Sequence, residues 1–426
     1  MAHPPDGSKT LMQIRSFIVF ALFLGILAIN VAAQDAAALT GRTPGFIDAN
    51  FKPVLGGNVG TSAPGNRTIV LPDGKILVAG SFQLANGISR NGIARFNPDG
   101  TLDTTFNTKS GASNGAINAM AVQSNGKIII GGAFTAYAGQ TVGFIARLEA
   151  NGNFDATFNS AGGIGNAAGA GGALNEISVA ADDRIYISGA FTTYNGTNIN
   201  RLARLTVDGS LDPTFAVGTG LTGSNAGVIE QAPGGKIIIS GFFTAYNGTT
   251  VPRFARINSD GSLDTTFAIG TGPVGAPAAV KVLPDGKILA GGGGATFNTV
   301  ARNGLVRLNA DGSVDSTFDA AITGSSVTSF ARQSDGKIII SGNFTLVGGT
   351  ARVNIARVGV DGALDATFDP GTGLQSGARA IAVQTDGRAV LVGTFTTYNG
   401  TVRNSMAIVN SNGTLDTTAN TGLAQR

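Results

Sequence analysis

The chain has 426 residues, 29 basic and 26 acidic side chains, a formal net charge of +3 at pH 7, 64 glycines, one histidine and no cysteine. So small a net charge sets up no field for nucleic acid or an anionic membrane surface, and without cysteine there are no disulfides and no thiolate metal sites. The one histidine, His3, lies in a segment read below as a leader, so the chain beyond it has no residue for a Ser-His-Asp triad or a histidine-held zinc.

At the amino end, Lys9 and Arg15 precede an apolar run, Phe17 to Ile29, and Val31-Ala32-Ala33 supplies small residues. A basic lead, a short apolar stretch and a small-x-small site predict a signal peptide over residues 1–33, with the exported chain starting at Gln34. Met12 is a second start for the same leader. The run is too short to be preferred as a membrane anchor, and no similar run follows, so no span is expected after cleavage. Residues 34–45 form a short lead.

From there the chain repeats. Aligned on the basic residue of segments such as Asp335-Gly-Lys-Ile-Ile-Ile-Ser-Gly-Asn-Phe344, the copies fall at Lys75, Lys127, Arg184, Lys236, Lys287, Lys337 and Arg388, a period of 50 to 57 residues. A second marker keeps the same period: Leu102-Asp-Thr-Thr-Phe106, Phe154-Asp-Ala-Thr-Phe158, and so on to Leu364-Asp-Ala-Thr-Phe368. A period of this size decides the architecture.

Within a repeat, turn chemistry counts the strands. The second repeat has Asn125-Gly126, Ala138-Gly139 and Asn151-Gly152, and the first and fourth carry equivalent pairs. Asn-Gly and Asp-Gly tolerate positive φ, as a type I′ hairpin turn requires. Three hairpin turns predict four antiparallel strands. Short β-branched runs between them agree, and long helical periodicity is absent. The fold class expected is therefore all-β: one seven-bladed β-propeller of four-stranded antiparallel blades over residues 46–419, followed by a tail, 420–426. A β-solenoid has shorter rungs and no need of three tight turns per period. The phenylalanines of Gly-x-Phe (Phe82, Phe134, Phe191, Phe243, Phe344, Phe395) are expected between blades, with Gly294 as the departure in the fifth. Residues 46–51, Phe-Ile-Asp-Ala-Asn-Phe, are expected to join the last blade and close the ring, which removes exposed sheet edges.

The pattern DGKIIIGGxF…ARLNxDGxLDxTF resembles the bacterial delta-60 repeat of exported or surface proteins. The resemblance covers residues 46–419. It implies a propeller in an envelope or extracellular setting and brings no catalytic residues with it.

Three groups of residues invite a functional reading. Asn97-Pro-Asp99-Gly100-Thr-Leu-Asp103 looks like the back of a calcium loop, but its first position is Arg95, and later Arg147, Arg204, Arg256, Arg307 and Arg357. A guanidinium cannot join the 6–8 oxygens that Ca²⁺ takes, so an Arg–Asp ion pair is expected instead. The seventh loop, Asn410 to Asp416, follows Ile408 and is the one left open to a weak site. No cofactor is expected.

Arg67, Glu176, Glu230 and Lys281 depart from the apolar pattern of the first strands, which line the channel of a propeller. They could form a small polar site there, or be mouth residues in water. A lyase or hydrolase using Glu176 and Glu230 is the enzymatic alternative. Lastly Tyr137, Tyr194, Tyr246 and Tyr398, with Phe297 in the fifth repeat, stand ten places after the aligned basic residue. They are expected either to present a ring of aromatic anchors for sugar faces or a protein partner, or to pack against their own hairpins. The function expected is an exported, non-catalytic binding or structural module, with a carbohydrate or an envelope protein as partner.

Overall fold

The computed structural model describes residues 55–56, 65–159, 162–165, 173–292, 294 and 296–418. The expected signal peptide 1–33, the expected lead 34–45, the expected closing strand 46–51, most of the connection 159–173 and the tail lie outside the described residues. The only helix among those described is a three-residue 3-10 turn, Pro233–Gly235.

The second blade shows the plan. Its first strand is Ile117–Val122, its second Ile128–Gly132 and its third Ile145–Leu148, with the second in the middle and all pairing antiparallel. The fourth is reduced to one bridge, Leu148 to Phe154. Its backbone then turns, because Asp155 Oδ1 accepts from both the amide and the hydroxyl of Thr157.

The Ile-Ile-Ile run is continuous rather than alternating because both faces of the second strand are core. Ile128 and Ile130 pack into a cluster with Leu77, Ile93 and Phe106 of the blade before, while Ile129 packs with Ile177, Ile185 and Phe191 of the blade after. Seven such clusters, one per blade boundary, make up the core. The Gly-x-Phe phenylalanines sit in them as expected and are buried. The fifth blade has Gly294 at this position, and in the cluster at its boundary Phe254 stacks on Phe267 and meets Phe297 edge-on at 5.8 Å.

The ring closes between the seventh and first blades. Val390, Val392, Met406 and Ile408 share a cluster with Ile76, Val78, Phe82 and Phe96. Gln384 Nε2 and Arg388 Nη2 both donate to Pro98 O, at 3.2 and 3.3 Å.

Turn types correct one expectation. Only the second turn is type I′, with positive φ at both residues, as at Asn195 and Gly196 or Ala138 and Gly139. In most blades the first and third turns place only their glycine in the left-handed region. There Gly74 N–H reaches Leu71 O, and Leu71 N–H reaches Lys75 O, the longer hairpin built on a type I turn. The Asx side chain settles the choice, since Asp73 Oδ1 accepts from the Lys75 amide and holds its own residue out of positive φ.

Beyond each main sheet, the strands meeting at turn two form a small hairpin. The third strand enters its main sheet through a left-handed residue in every blade: Gly92, Phe144, Arg201, Arg253, Gly304, Asn354 and Ser405. In six blades the small hairpin is assigned to a three-stranded sheet or pair of its own beside a main sheet containing the three long strands, as at Ala136–Tyr137 with Gln140–Thr141 and Ala112–Ser113.

Candidate binding site at the channel mouth

The most regular polar feature belongs to the scaffold. In the second blade Asp155 Oδ2 accepts from Arg147 Nε at 2.5 Å and from Lys127 Nζ at 2.8 Å. The Arg147 guanidinium lies 5.0 Å from the Phe158 ring centroid and donates from Nη1 to Val207 O of the next blade. The same set recurs from Arg95–Asp103 to Arg357–Asp365. Each aspartate is nearly buried, which by itself would raise its carboxyl. Hydrogen bonds from the threonine, lysine and arginine outweigh that and hold Asp103, Asp155, Asp264, Asp315 and Asp365 well below the usual carboxylate range.

The expected Arg–Asp pairing is therefore present, with an added lysine and a link to the next blade. In the seventh blade, where Ile408 replaces the arginine, Arg388 comes from the second strand to bond Asp416 at 2.7 Å. Asn412 Oδ1 there accepts from Thr414 N and Oγ1, and Asn410 Nδ2 donates to Thr414 Oγ1. Asn412 Oδ1 and both Asp416 oxygens are engaged beside a guanidinium, so the one loop left open by the sequence has the same hydrogen-bonded form as the others.

The tyrosines are not displayed. Tyr137, Tyr194, Tyr246 and Tyr398 are fully buried, and Phe297 nearly so. The Tyr137 hydroxyl donates to Gly152 O at 2.9 Å and the Tyr194 hydroxyl to Gly209 O at 2.6 Å, in the third turn of the same blade. Tyr246 and Tyr398 repeat this with Gly261 and Gly413. Burial pushes all four phenols up from their ordinary value. The second hairpin thus folds back far enough for its tyrosine to clasp turn three. A ring turned into the core has no face left for a sugar, which corrects the reading of these five residues as ligand anchors.

What the first strands do present is a cavity. Each carries a β-bulge at the same place near its start: between Gly65 and Arg67, Ile117 and Ala119, Leu174 and Glu176, Ala226 and Val228, Pro277 and Ala279, Val327 and Ser329, Ala378 and Ala380. Bulges re-aim a side chain. The extra residues, in ring order, are Asn66, Asn118, Asn175, Gly227, Ala278, Thr328 and Arg379. Six of them line a cavity of about 510 Å³, together with Arg67, Asn343, Ser376 and Thr394. It lies at the strand ends away from the first turns.

Hydrogen bonds run from blade to blade around this rim. Thr328 Oγ1 donates to Ala378 O, Arg379 Nη1 to Asn66 Oδ1 at 2.9 Å, Asn66 Nδ2 to Ile117 O, and Asn118 Nδ2 to Leu174 O. The belt is interrupted at Gly227 and Ala278, which have no polar side chain to continue it.

Two of the four expected channel residues meet here and two meet elsewhere. Arg67 Nη2 bonds Glu176 Oε2 at 2.5 Å, passing the small Ala119 of the blade between. Glu230 pairs with Lys281 at 2.7 Å, two residues further along the first strands, and accepts from the Val282 amide. Burial raises both glutamates, and the facing cations oppose it. Each carboxylate has its own cation, and the Glu230 charge adds to the rise of Glu176. Among the described residues no three His, Cys, Asp or Glu side chains gather as metal ligands. None of the helices there is long and apolar enough to cross a membrane.

The model of a family described as a domain of unknown function, DUF5122, a β-propeller, matches seven times, over residues 71–106, 123–158, 180–215, 233–267, 283–318, 333–368 and 384–418. That is more than half of the sequence, and the chain belongs to this propeller family. Each match runs from the first turn to the Asp-x-Thr-Phe marker, so the bulged first strands fall between the matched segments. Among curated proteins, none matches the chain.

Similar solved structures include puromycin hydrolase, 15% identical with a TM-score of 0.47 over 90% of this chain and 56% of that one. The extracellular domain of BT4673 from B. thetaiotaomicron is 12% identical with a TM-score of 0.45 over 84% of this chain, which spans 40% of that structure's length. Virginiamycin B lyase from Staphylococcus aureus is 13% identical with a TM-score of 0.43, over 84% and 97%. At these values the likenesses carry nothing about activity.

Proposed function

We propose that this chain is an exported propeller that binds a carbohydrate or protein ligand of the cell envelope or its surroundings at the mouth of its channel, and does no chemistry on it. The observation that carries this is the rim. Amides, a hydroxyl and a guanidinium group are set at one level by five of the seven bulges, at Asn66, Asn118, Asn175, Thr328 and Arg379. Concave sites with a few convergent polar groups are where small ligands bind. Both channel carboxylates are ion-paired, which supports a non-catalytic role. Export rests on the leader-like residues 1–33 and on the resemblance to repeats of exported proteins.

The test is binding of the purified full-length protein to an array of glycans and cell-wall polysaccharides, with a parallel capture from envelope extracts. Saturable binding weakened by Asn118→Ala at the rim supports the reading, and binding untouched by rim substitutions overturns it. The mass of the protein recovered from the producing cells checks for cleavage after Ala33. The enzymatic alternative draws on one observation, that burial raises Glu176 and Glu230, as a general acid requires. It predicts turnover of a bound polysaccharide that Glu176→Gln abolishes.

A further inference from the structure

We infer that the mouth cavity selects an acidic sugar, a short oligosaccharide bearing a carboxylate, with Arg379 as the anchor for that group. The inference rests on the binding reading above and names its ligand class.

The first ground is charge. Setting aside Arg332, at the first-turn end of its strand, five ionic side chains belong to the inner strands. Arg67 and Glu176 neutralise each other, as do Lys281 and Glu230. Arg379 is left. It is exposed at the rim, its hydrogen bond goes to the neutral amide of Asn66, and no carboxylate among the described residues pairs with it. The residues lining the cavity include no acid at all. The site therefore holds one uncompensated positive charge in a planar fork, the geometry that takes a carboxylate through two parallel hydrogen bonds.

The second ground is what surrounds that charge. Asn66, Asn118 and Asn175 follow Arg379 around the rim, with Thr328, Asn343 and Thr394 on its other side. A carboxamide offers two donors and an acceptor. Asn118 uses one donor on Leu174 O, which orients the group and leaves the rest for a ligand. A run of oriented amides suits a ligand rich in hydroxyls better than a simple organic acid.

The third ground is the opposite side. At Gly227 and Ala278 the belt has no side chain, and the space there is open: a Cβ built on Gly227 would meet nothing closer than 3.9 Å. On the same fourth blade, Phe242 is 67% exposed, the most exposed large apolar residue described. It occupies the repeat position held in the sixth and seventh blades by Asn343 and Thr394, which line the cavity, and lies next to that lining, three blades from Arg379, with Gly227 of its own blade in the lining. A sugar ring has an apolar C–H face as well as hydroxyl edges, and an exposed aromatic ring is a platform for it. Carboxylate at the seventh blade, hydroxyls along the first to third and an apolar face at the fourth describe one ligand class. A volume of about 510 Å³ lies within the range of small-ligand sites.

The experiment is calorimetry of the full-length protein with trigalacturonate and triglucuronate, each against its methyl ester, and with a neutral trisaccharide. At least one acid should bind about tenfold more tightly than its ester, a difference of ~1.4 kcal/mol. Arg379→Gln should erase that difference while melting as the parent does, since the side chain is exposed. Phe242→Ala should weaken acid and ester alike. Equal binding of acid and ester, or a preference that survives Arg379→Gln, overturns the acidic selection and leaves the binding reading standing. If neither acid nor neutral sugar binds, the saccharide inference falls, and the envelope capture decides whether the binding reading falls with it.

Discussion

The four tyrosines define this molecule at the scale of single residues. Each carries its hydroxyl into the core and meets a glycine carbonyl there, so the polar end is satisfied and the ring contributes burial. Tyr194→Phe removes that donor and leaves a buried carbonyl unpaired. We expect a loss of about 1–3 kcal/mol, read from the urea midpoint, with ligand binding unchanged. A loss of binding without loss of stability would restore the tyrosines as anchors. Arg147 is a stronger case. Arg147→Met leaves the nearly buried Asp155 with Lys127 as its remaining cation and cuts the link to Val207, so a loss of about 3 kcal/mol is expected in the same measurement. The aspartates also set the response to acid. Their folded values lie below the unfolded value of about 3.9, so their contribution is complete above that value and is lost as the pH falls below it. Urea midpoints should be flat from about pH 5 upward and decline below about pH 4, more shallowly in Asp155→Asn.

At the scale of elements, the turns explain why near-identical dipeptides do different work. Asn-Gly at turn two is held in left-handed conformations at both residues, whereas Asp-Gly at turns one and three uses the carboxylate to accept the amide two residues on. Ala138 is the odd member of the second set: it has φ of 51° where five other blades have asparagine. An alanine resists that region more than an asparagine does. Ala138→Asn should therefore stabilise the protein by up to ~1 kcal/mol, seen as a raised thermal midpoint. The bulges are the other element-scale device. They were not legible beforehand, because an extra residue in a strand leaves no mark in a sequence that already tolerates Asn, Gly, Ala, Thr and Arg at that place. Pairing with the second strand reveals them.

For the whole molecule, stability is distributed over seven boundaries, each a small core of its own, and the chain must close a ring to cover the last of them. At that boundary Arg388 replaces the usual arginine, bonding Asp416 and Pro98 O together, with Gln384 beside it. The third-strand arginine is absent here, with Ile408 in its place and Ala419 where the sequence elsewhere has phenylalanine, and the cation at the lysine's position takes over the link to the next blade. Removing both with Arg388→Met and Gln384→Ala should lower stability by about 1–3 kcal/mol and speed proteolysis at the seam. Unchanged proteolysis would mean that the apolar cluster of Phe82, Val392 and Ile408 seals the ring alone.

Much of this architecture was open to reading from the residues themselves. Seven copies of one segment, three turn signals in each and an apolar run of β-branched residues are local facts, and local backbone preferences with a two-residue period are enough to convert them into blades. The pairing of Arg95 with Asp103 was legible for the same reason: eight residues across one turn bring them together whatever surrounds them. The side on which Tyr194 is buried, the partner that Arg67 takes, and the rim on which Arg379 stands were settled only by tertiary structure. Tyr194 packs against Ile129 and Ile145 of the blade before as well as its own turn three, and Arg67 and Arg379 take partners more than a hundred positions away. No spacing within one repeat records how neighbouring blades are rotated against it.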